Sequence, residues 1–186
     1  LYNSGQHAQA AAGFSPFLAG NTPHASRARL LSGISRFHLR DYNQAITLLS
    51  PLIKEPSSLR AESLYWIGRS YGRLDDREKA IATLMRLVDL YPRSVWADDS
   101  LYMVSLNYSD DQKPKRAVEA LSRLNREHPS SDLGDVALWT RAWINYRESA
   151  PTTALHDLQR LQKGAPSPSR LRVQASYWRA RILSVS

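Results

Sequence analysis

The sequence predicts an all-α protein of about ten antiparallel helices, paired into units that stack as a right-handed superhelix, an α-solenoid. Three observations predict it. A set of large and small residues recurs at a fixed spacing of 37 residues. Within each copy the large residues fall three or four apart, the period of a single helical face. Prolines and capping residues then punctuate the chain at matching points.

The clearest copy holds Leu64, Ile67, Gly68, Tyr71, Ala80, Leu84, Leu87 and Pro92, and a shift of 37 gives Leu101, Val104, Ser105, Tyr108, Ala117, Leu121, Leu124 and Pro129. A further 37 reaches Ala154, Leu158, Leu161 and Pro166, behind the aromatic helix that carries Trp139, Trp143 and Tyr146. Stepping back 35 from Ala80 gives Ala45, with Leu49 and Leu52 after it and Leu30, Gly33 and Phe37 before it. Each unit is therefore two helices, with the small residue of the first and the alanine of the second allowing close approach. One such pair cannot bury its apolar face alone, so the copies must stack.

The helices fall near 7–19, 26–39, 42–54, 59–73, 77–91, 96–109, 114–127, 132–148, 151–163 and 169–184. Asp41 with Gln44, and Asp75 with Glu78, have capping-box spacing. Pro114 and Pro151 suit a first helical turn, whereas Pro92, Pro129 and Pro166 end second helices. Pro51 should kink its helix or begin a separate turn. The units divide as a partial repeat over 1–25, repeats over 26–60, 61–97, 98–134 and 135–168, and a partial repeat over 169–186. The first helix looks like a second-type helix and the last like a first-type helix, each without its partner, so the array is expected to be cut at both ends. Residues 163–170, KGAPSPSR, form the one candidate linker.

Composition narrows the function classes. With 42% hydrophobic residues the chain can bury a core, and with no cysteine it has no disulfide, thiolate metal site or cysteine nucleophile. No run approaches the length of a membrane span. The net charge of +8 is uneven. Residues 141–186 hold 8 basic and 2 acidic residues, the basic ones including Arg141, Arg147, Arg160, Arg170, Arg172, Arg179 and Arg181. That cationic end favours a polyanion or a neighbouring domain without choosing between them. No recognition motif accompanies the charge, which disfavours specific nucleic-acid binding.

The set from Leu64 to Pro92, and its copy from Leu101 to Pro129, resembles the tetratricopeptide repeat (TPR). The 37-residue spacing and the linking segments YPRSVWADDSLY and HPSSDLGDVALW are similar to the extended units of bacterial periplasmic TPR proteins. A narrower resemblance covers roughly residues 137–183. There ALWTRAWINYRESAPTTALHDLQRL, followed by SYWRARIL, is similar to the superhelical region of soluble lytic murein transglycosylases. It departs in the order of Thr140 and Arg141 and at Ser149–Ala150, where a glycine turn is usual. This resemblance implies a periplasmic location and a helical arm that braces a C-terminal peptidoglycan-cleaving domain or holds glycan.

Catalytic chemistry is not expected in this chain. The family's catalytic glutamate stands in a Glu-Ser-x-Phe context, and Glu62-Ser63 and Glu148-Ser149 both fall on repeat positions. Gly68-Arg69-Ser70-Tyr71-Gly72 fits the nucleophile-elbow string but lies inside a predicted helix with no strand before it. His7, His24, His38, His128 and His156 form no ligand pair and read as scattered surface or turn residues. The acid pairs Asp75–Asp76, Asp98–Asp99 and Asp110–Asp111 fall at predicted helix starts, where capping explains them. No cofactor or metal is expected.

In TPR-like arrays the first helix of each pair lines the concave side, which makes Tyr65, Arg69, Arg73, Tyr102, Arg147, Tyr177 and Arg181 the candidate groove residues. Tyrosine and arginine suit extended peptides, or sugars bearing carboxylates. Trp66, Trp139, Trp143, Tyr146 and Trp178 are assigned to packing. Three functions follow. The first is a non-catalytic arm of a lytic transglycosylase, with its own catalytic domain, another protein or peptidoglycan as partner. The second is a periplasmic TPR adaptor for protein partners or envelope assembly, and the third, least favoured, is a basic RNA binder.

Overall fold

The structure, a computed structural model, describes residues 6–19, 22–54, 57–163 and 170–185, and among these it is helical throughout, with no strand. The helices are α1 (His7–Phe14), α2 (Pro23–His38), α3 (Tyr42–Leu49), α4 (Arg60–Arg73), α5 (Arg77–Leu90), α6 (Ala97–Asp110), α7 (Pro114–Glu127), α8 (Gly134–Arg147), α9 (Pro151–Lys163) and α10 (Arg170–Val185). The chain divides into two compact units, Leu1–Ser100 and Leu101–Ser186. The candidate linker at 163–170 lies almost wholly outside the described residues.

Local chemistry accounts for most helix ends. The Thr22 hydroxyl accepts from the Ala25 amide at 3.1 Å, so α2 begins at Pro23, earlier than its apolar periodicity implies. Asp41 caps α3 by accepting from the Gln44 amide, as expected. For α5 the cap is Asp76, which accepts from the Lys79 amide, and not Asp75. Asp75 instead lies in the left-handed region at φ 61°. Asp98 and Asp99 do open α6, but Asp110 ends it and Asp111 follows in the turn, where its carboxylate pairs with Lys113 at 2.9 Å. Pro51 ends α3 in a short 3₁₀ turn over Ser50–Ile53, and Pro16 does the same after α1 over Ser15–Phe17.

The four turns between first and second helices share one geometry. Arg40, Asp75, Gln112 and Ser149 all have φ between 55° and 64°. They are spaced 35, 37 and 37 residues apart, the period of the repeat. After each, the next amide donates back to a carbonyl five residues earlier: Asp41 to Arg36, Asp76 to Tyr71, Lys113 to Tyr108 and Ala150 to Asn145, at 2.8–3.0 Å. This is the Schellman helix end, normally built on glycine because a Cβ strains the left-handed region. Ser149→Gly should therefore stabilise the protein by about 1 kcal/mol, a rise readable in the melting temperature; no rise would mean that the side chain at 149 contributes something offsetting.

In the first unit, α1 packs on α2, α2 on α3, α3 on α4 and α4 on α5. Leu30, Ile34, Leu49, Leu64, Leu84 and Leu87 are fully buried along these contacts. Gly33 and Gly68 mark the closest approaches. A Cβ on Gly33 would stand 2.6 Å from Leu49 Cγ, and one on Gly68 would stand 2.6 Å from Leu84 Cγ. In the second unit α7 packs on α8, α8 on α9, and α9 on α10. Leu121, Leu124, Leu158, Leu161 and Ala175 form its buried seam.

Candidate functional site

The candidate residues fall into separate places. In the first unit, Tyr65 is buried and stacks on Trp96 with ring centres 4.5 Å apart. Its hydroxyl donates to the Asp99 carboxylate and accepts from Arg69 Nη1 at 3.3 Å. Burial and the neighbouring carboxylate hold the phenol protonated, pushing its pKa far above the ordinary value. Arg69 lies 4.9 Å from the ring centres of both Phe37 and Trp66 and 5.3 Å from that of Tyr65, so three aromatics surround one guanidinium. Tyr65 is thus a packing residue that positions Arg69, not a groove contact. Arg73 is exposed in the last turn of α4, where the helix dipole favours a cation.

In the second unit Tyr102 is half-buried and Arg147 exposed. Arg147, at the end of α8, lines a cavity of about 350 Å³ with Ser109, Gln112, Pro114, Ile144 and Glu148. Tyr177, 60% exposed, meets Trp178 edge-on at 5.8 Å. The Arg181 guanidinium sits 5.3 Å above Trp178, with Nη1 3.3 Å from the Tyr177 hydroxyl. Tyr65 with Arg69, and Tyr177 with Arg181, are therefore the two sets the structure brings together.

Two aromatics assigned to packing are half in solvent. Trp143 is 39% exposed and Tyr146 37%. Along α8, Trp139, Trp143 and Tyr146 stack in sequence, with centres 6.4 and 5.7 Å apart and planes within 20°. Trp178 of α10 meets Trp143 edge-on at 4.6 Å. The signal for Trp143 was present in the repeat, because it stands 37 residues after Leu106 and 74 after Arg69, which was a candidate. Trp66, by contrast, is buried as expected.

The cationic end is also smaller than its composition implies. Arg141 is buried, with Nε donating to Asp157 Oδ2 at 2.7 Å, Nη2 donating to Oδ1, and Nη1 donating to Ser122 Oγ at 2.9 Å. Asp157 is 1% exposed. Arg172 pairs with Asp135 at 3.0 Å, and Arg179 donates to Gln162 Oε1 at 2.8 Å. Arg147, Arg160, Arg170 and Arg181 remain exposed.

Ser70 of the nucleophile-elbow string is buried within α4, its hydroxyl donating to the Trp66 carbonyl at 2.8 Å, so it cannot act as an exposed nucleophile. The histidines are not all scattered. His7 and His38 stack with centres 4.4 Å apart and planes 11° apart, and His38 also meets Trp66 edge-on. Burial, then His7 and Arg69, lower the His38 pKa below its ordinary value. The folded state thus disfavours the proton. Its stability contribution is full above about pH 6.5 and falls as the pH drops through the folded pKa. Because His38 is largely exposed the effect is small; its ring proton shifts should titrate with a midpoint below that of an unstructured histidine, and a midpoint at or above it would contradict the stacked environment. No group of metal-ligating side chains occurs among the described residues, and no described helix is long and apolar enough to cross a membrane.

The tetratricopeptide repeat family matches residues 62–94 and 99–131. No curated protein matches the chain. Among solved structures, MamA is similar at 19% identity over 87% of this chain and 90% of that one, with a TM-score of 0.73. The C-terminal part of a TPR repeat-containing protein from Cytophaga hutchinsonii is similar at 12% identity, over 98% of this chain and 67% of that one, with a TM-score of 0.74. The TPR-like repeats of a putative kinesin light chain from Podospora anserina are similar at 16% identity over 88% of both chains, with a TM-score of 0.63. At these identities the likeness is one of fold. Residues 62–94 and 99–131 match the tetratricopeptide repeat, and the described residues adopt an all-α, TPR-like fold.

Proposed function

We propose that the chain is a protein-binding TPR adaptor: a non-catalytic helical scaffold that holds an extended segment of a partner on side chains of its first-type helices. The observation that carries this reading is the pair of adjacent segments that match the tetratricopeptide repeat, whose first helices present Arg73 and Tyr102 to solvent or to its edge. Arg69, Arg147, Tyr177 and Arg181 extend the candidate set. Arginine and tyrosine dominate binding hot spots because each combines apolar area with directed hydrogen bonds.

The resemblance of residues 137–183 to the superhelical region of lytic transglycosylases supports a second reading, in which the same scaffold works in a bacterial periplasm as the arm of a peptidoglycan-cleaving enzyme and holds glycan or the catalytic domain. Peptide display against the immobilised chain, run beside co-sedimentation with peptidoglycan sacculi, separates the two. The adaptor reading expects selected peptides whose binding is lost in Arg73→Glu or Arg147→Glu. Sedimentation with sacculi and no selected peptide would replace it with the second reading.

A further inference from the structure

The second unit carries an aromatic shelf that the adaptor reading does not by itself explain. Trp139, Trp143 and Tyr146 of α8 join Trp178 and Tyr177 of α10 through ring contacts of 4.6 to 6.4 Å. Trp143, Tyr146 and Tyr177 leave more than a third of their surface open. Exposed apolar rings grouped in this way mark interaction surfaces. One guanidinium covers the shelf on α10, and a second stands one turn beyond it on α8. Arg147 stands four residues after Trp143, on the same face of α8, and Arg181 covers Trp178. Between residues 141 and 186 only Glu148 and Asp157 are acidic, and Asp157 is consumed by the buried pair with Arg141. Residues 141–186 carry a net charge of +6, 8 basic minus 2 acidic.

The ring geometry narrows the occupant. Trp139, Trp143 and Tyr146 are stacked nearly parallel, with interplanar angles of 9° and 20°, so neighbouring rings occupy part of one another's faces. Binding of single-stranded nucleic acid relies on open ring faces on which bases stack. Ring edges carry the positive rim of the quadrupole and suit carboxylates, aliphatic groups and a perpendicular aromatic ring. We infer that the α8–α10 shelf, with Arg181 over it and Arg147 one turn beyond, docks an acidic peptide segment of a partner protein that carries an aromatic or large aliphatic side chain. The apolar side chain seats against Trp143 and Tyr177, and flanking carboxylates pair with the two guanidiniums. The inference rests on the adaptor reading and assigns it a site and a ligand chemistry.

Fluorescence anisotropy of three labelled peptides of equal length tests it: an acidic peptide with one central tryptophan, an acidic peptide without large apolar residues, and a basic peptide with the same tryptophan. The first should bind at least about tenfold more tightly than the others. Trp143→Ala and Arg181→Glu should each weaken it about tenfold. Tyr177→Ser, at a side chain already 60% exposed, should weaken binding with circular dichroism and melting unchanged. Equal binding of all three peptides overturns the inference, as does unchanged affinity in the folded variants. So does an oligouridylate that binds as tightly as the acidic peptide and is indifferent to Trp143→Ala. Display-selected peptides that depend on Arg73 but not on Trp143 would remove this site and keep the adaptor reading, whereas a display with no binders removes the adaptor reading itself.

Discussion

Asp157→Ala is expected to destabilise the protein by about 3–5 kcal/mol, because it leaves the Arg141 guanidinium buried without its carboxylate. The pair is bidentate, Asp157 is 1% exposed, and the third arm of Arg141 reaches Ser122 on α7, so one ionic group ties α7, α8 and α9. A loss of that size is a large share of the stability of an ordinary domain. Urea unfolding of the single variants and of Arg141→Leu with Asp157→Leu tests the assignment. The double variant should lie much closer to the parent than Asp157→Ala does, because removing both charges removes the desolvation cost as well. The repeat points the same way, since Ile67 and Val104 fill the positions equivalent to Arg141 in the two preceding units. A single variant within about 1 kcal/mol of the parent would mean that water reaches the guanidinium.

Gly68→Val should cost about 3 kcal/mol, through overlap with the facing helix. The new Cβ would lie 2.6 Å from Leu84 Cγ and 2.7 Å from its Cδ2, distances at which α4 and α5 must move apart. Helix propensity works in the opposite direction, since glycine inside a helix is about 1 kcal/mol worse than alanine, but the overlap is the larger effect. Leu84→Ala alone should cost about 2–5 kcal/mol by leaving a cavity. Combined with Gly68→Val it should cost less than the sum of the two, which a double-mutant cycle reads as coupling. Strict additivity would show that the helices are not in contact at this point. Gly13 is the control: nothing lies within 4 Å of its Cβ position, so Gly13→Ala should carry no such cost.

The helix pairs were legible because their signals are local. Leucines three and four apart define one face, and Pro114 and Pro151 open α7 and α9 where a first-turn proline loses no hydrogen bond. Pro51 ends α3 for the complementary reason. The left-handed turns were not legible, because Arg40, Asp75, Gln112 and Ser149 stand where glycine usually gives the signal. Two adjacent acids hid the cap of α5, since only φ distinguishes Asp75 from Asp76. For the candidate site, the register located Arg69, Arg147, Tyr177 and Arg181 on the first-type helices, but it did not separate a buried tyrosine at 65 from an exposed tryptophan at 143.

What the sequence determined by itself is the repeat: its period, its two helices per unit and its close approaches at Gly33 and Gly68. These follow from spacing along one chain and from side-chain size, both of which are written in the residue order. Tertiary structure alone decided which charges and rings face solvent. Arg141 has the composition of a surface residue and becomes buried because Asp157 and Ser122, 16 and 19 residues away, converge on it. Trp143 has the composition of a core residue and stays half in solvent because its neighbours are rings stacked along its own helix and one edge-on ring from α10. Burial is a property of what packs opposite a side chain, and that partner lies on another helix.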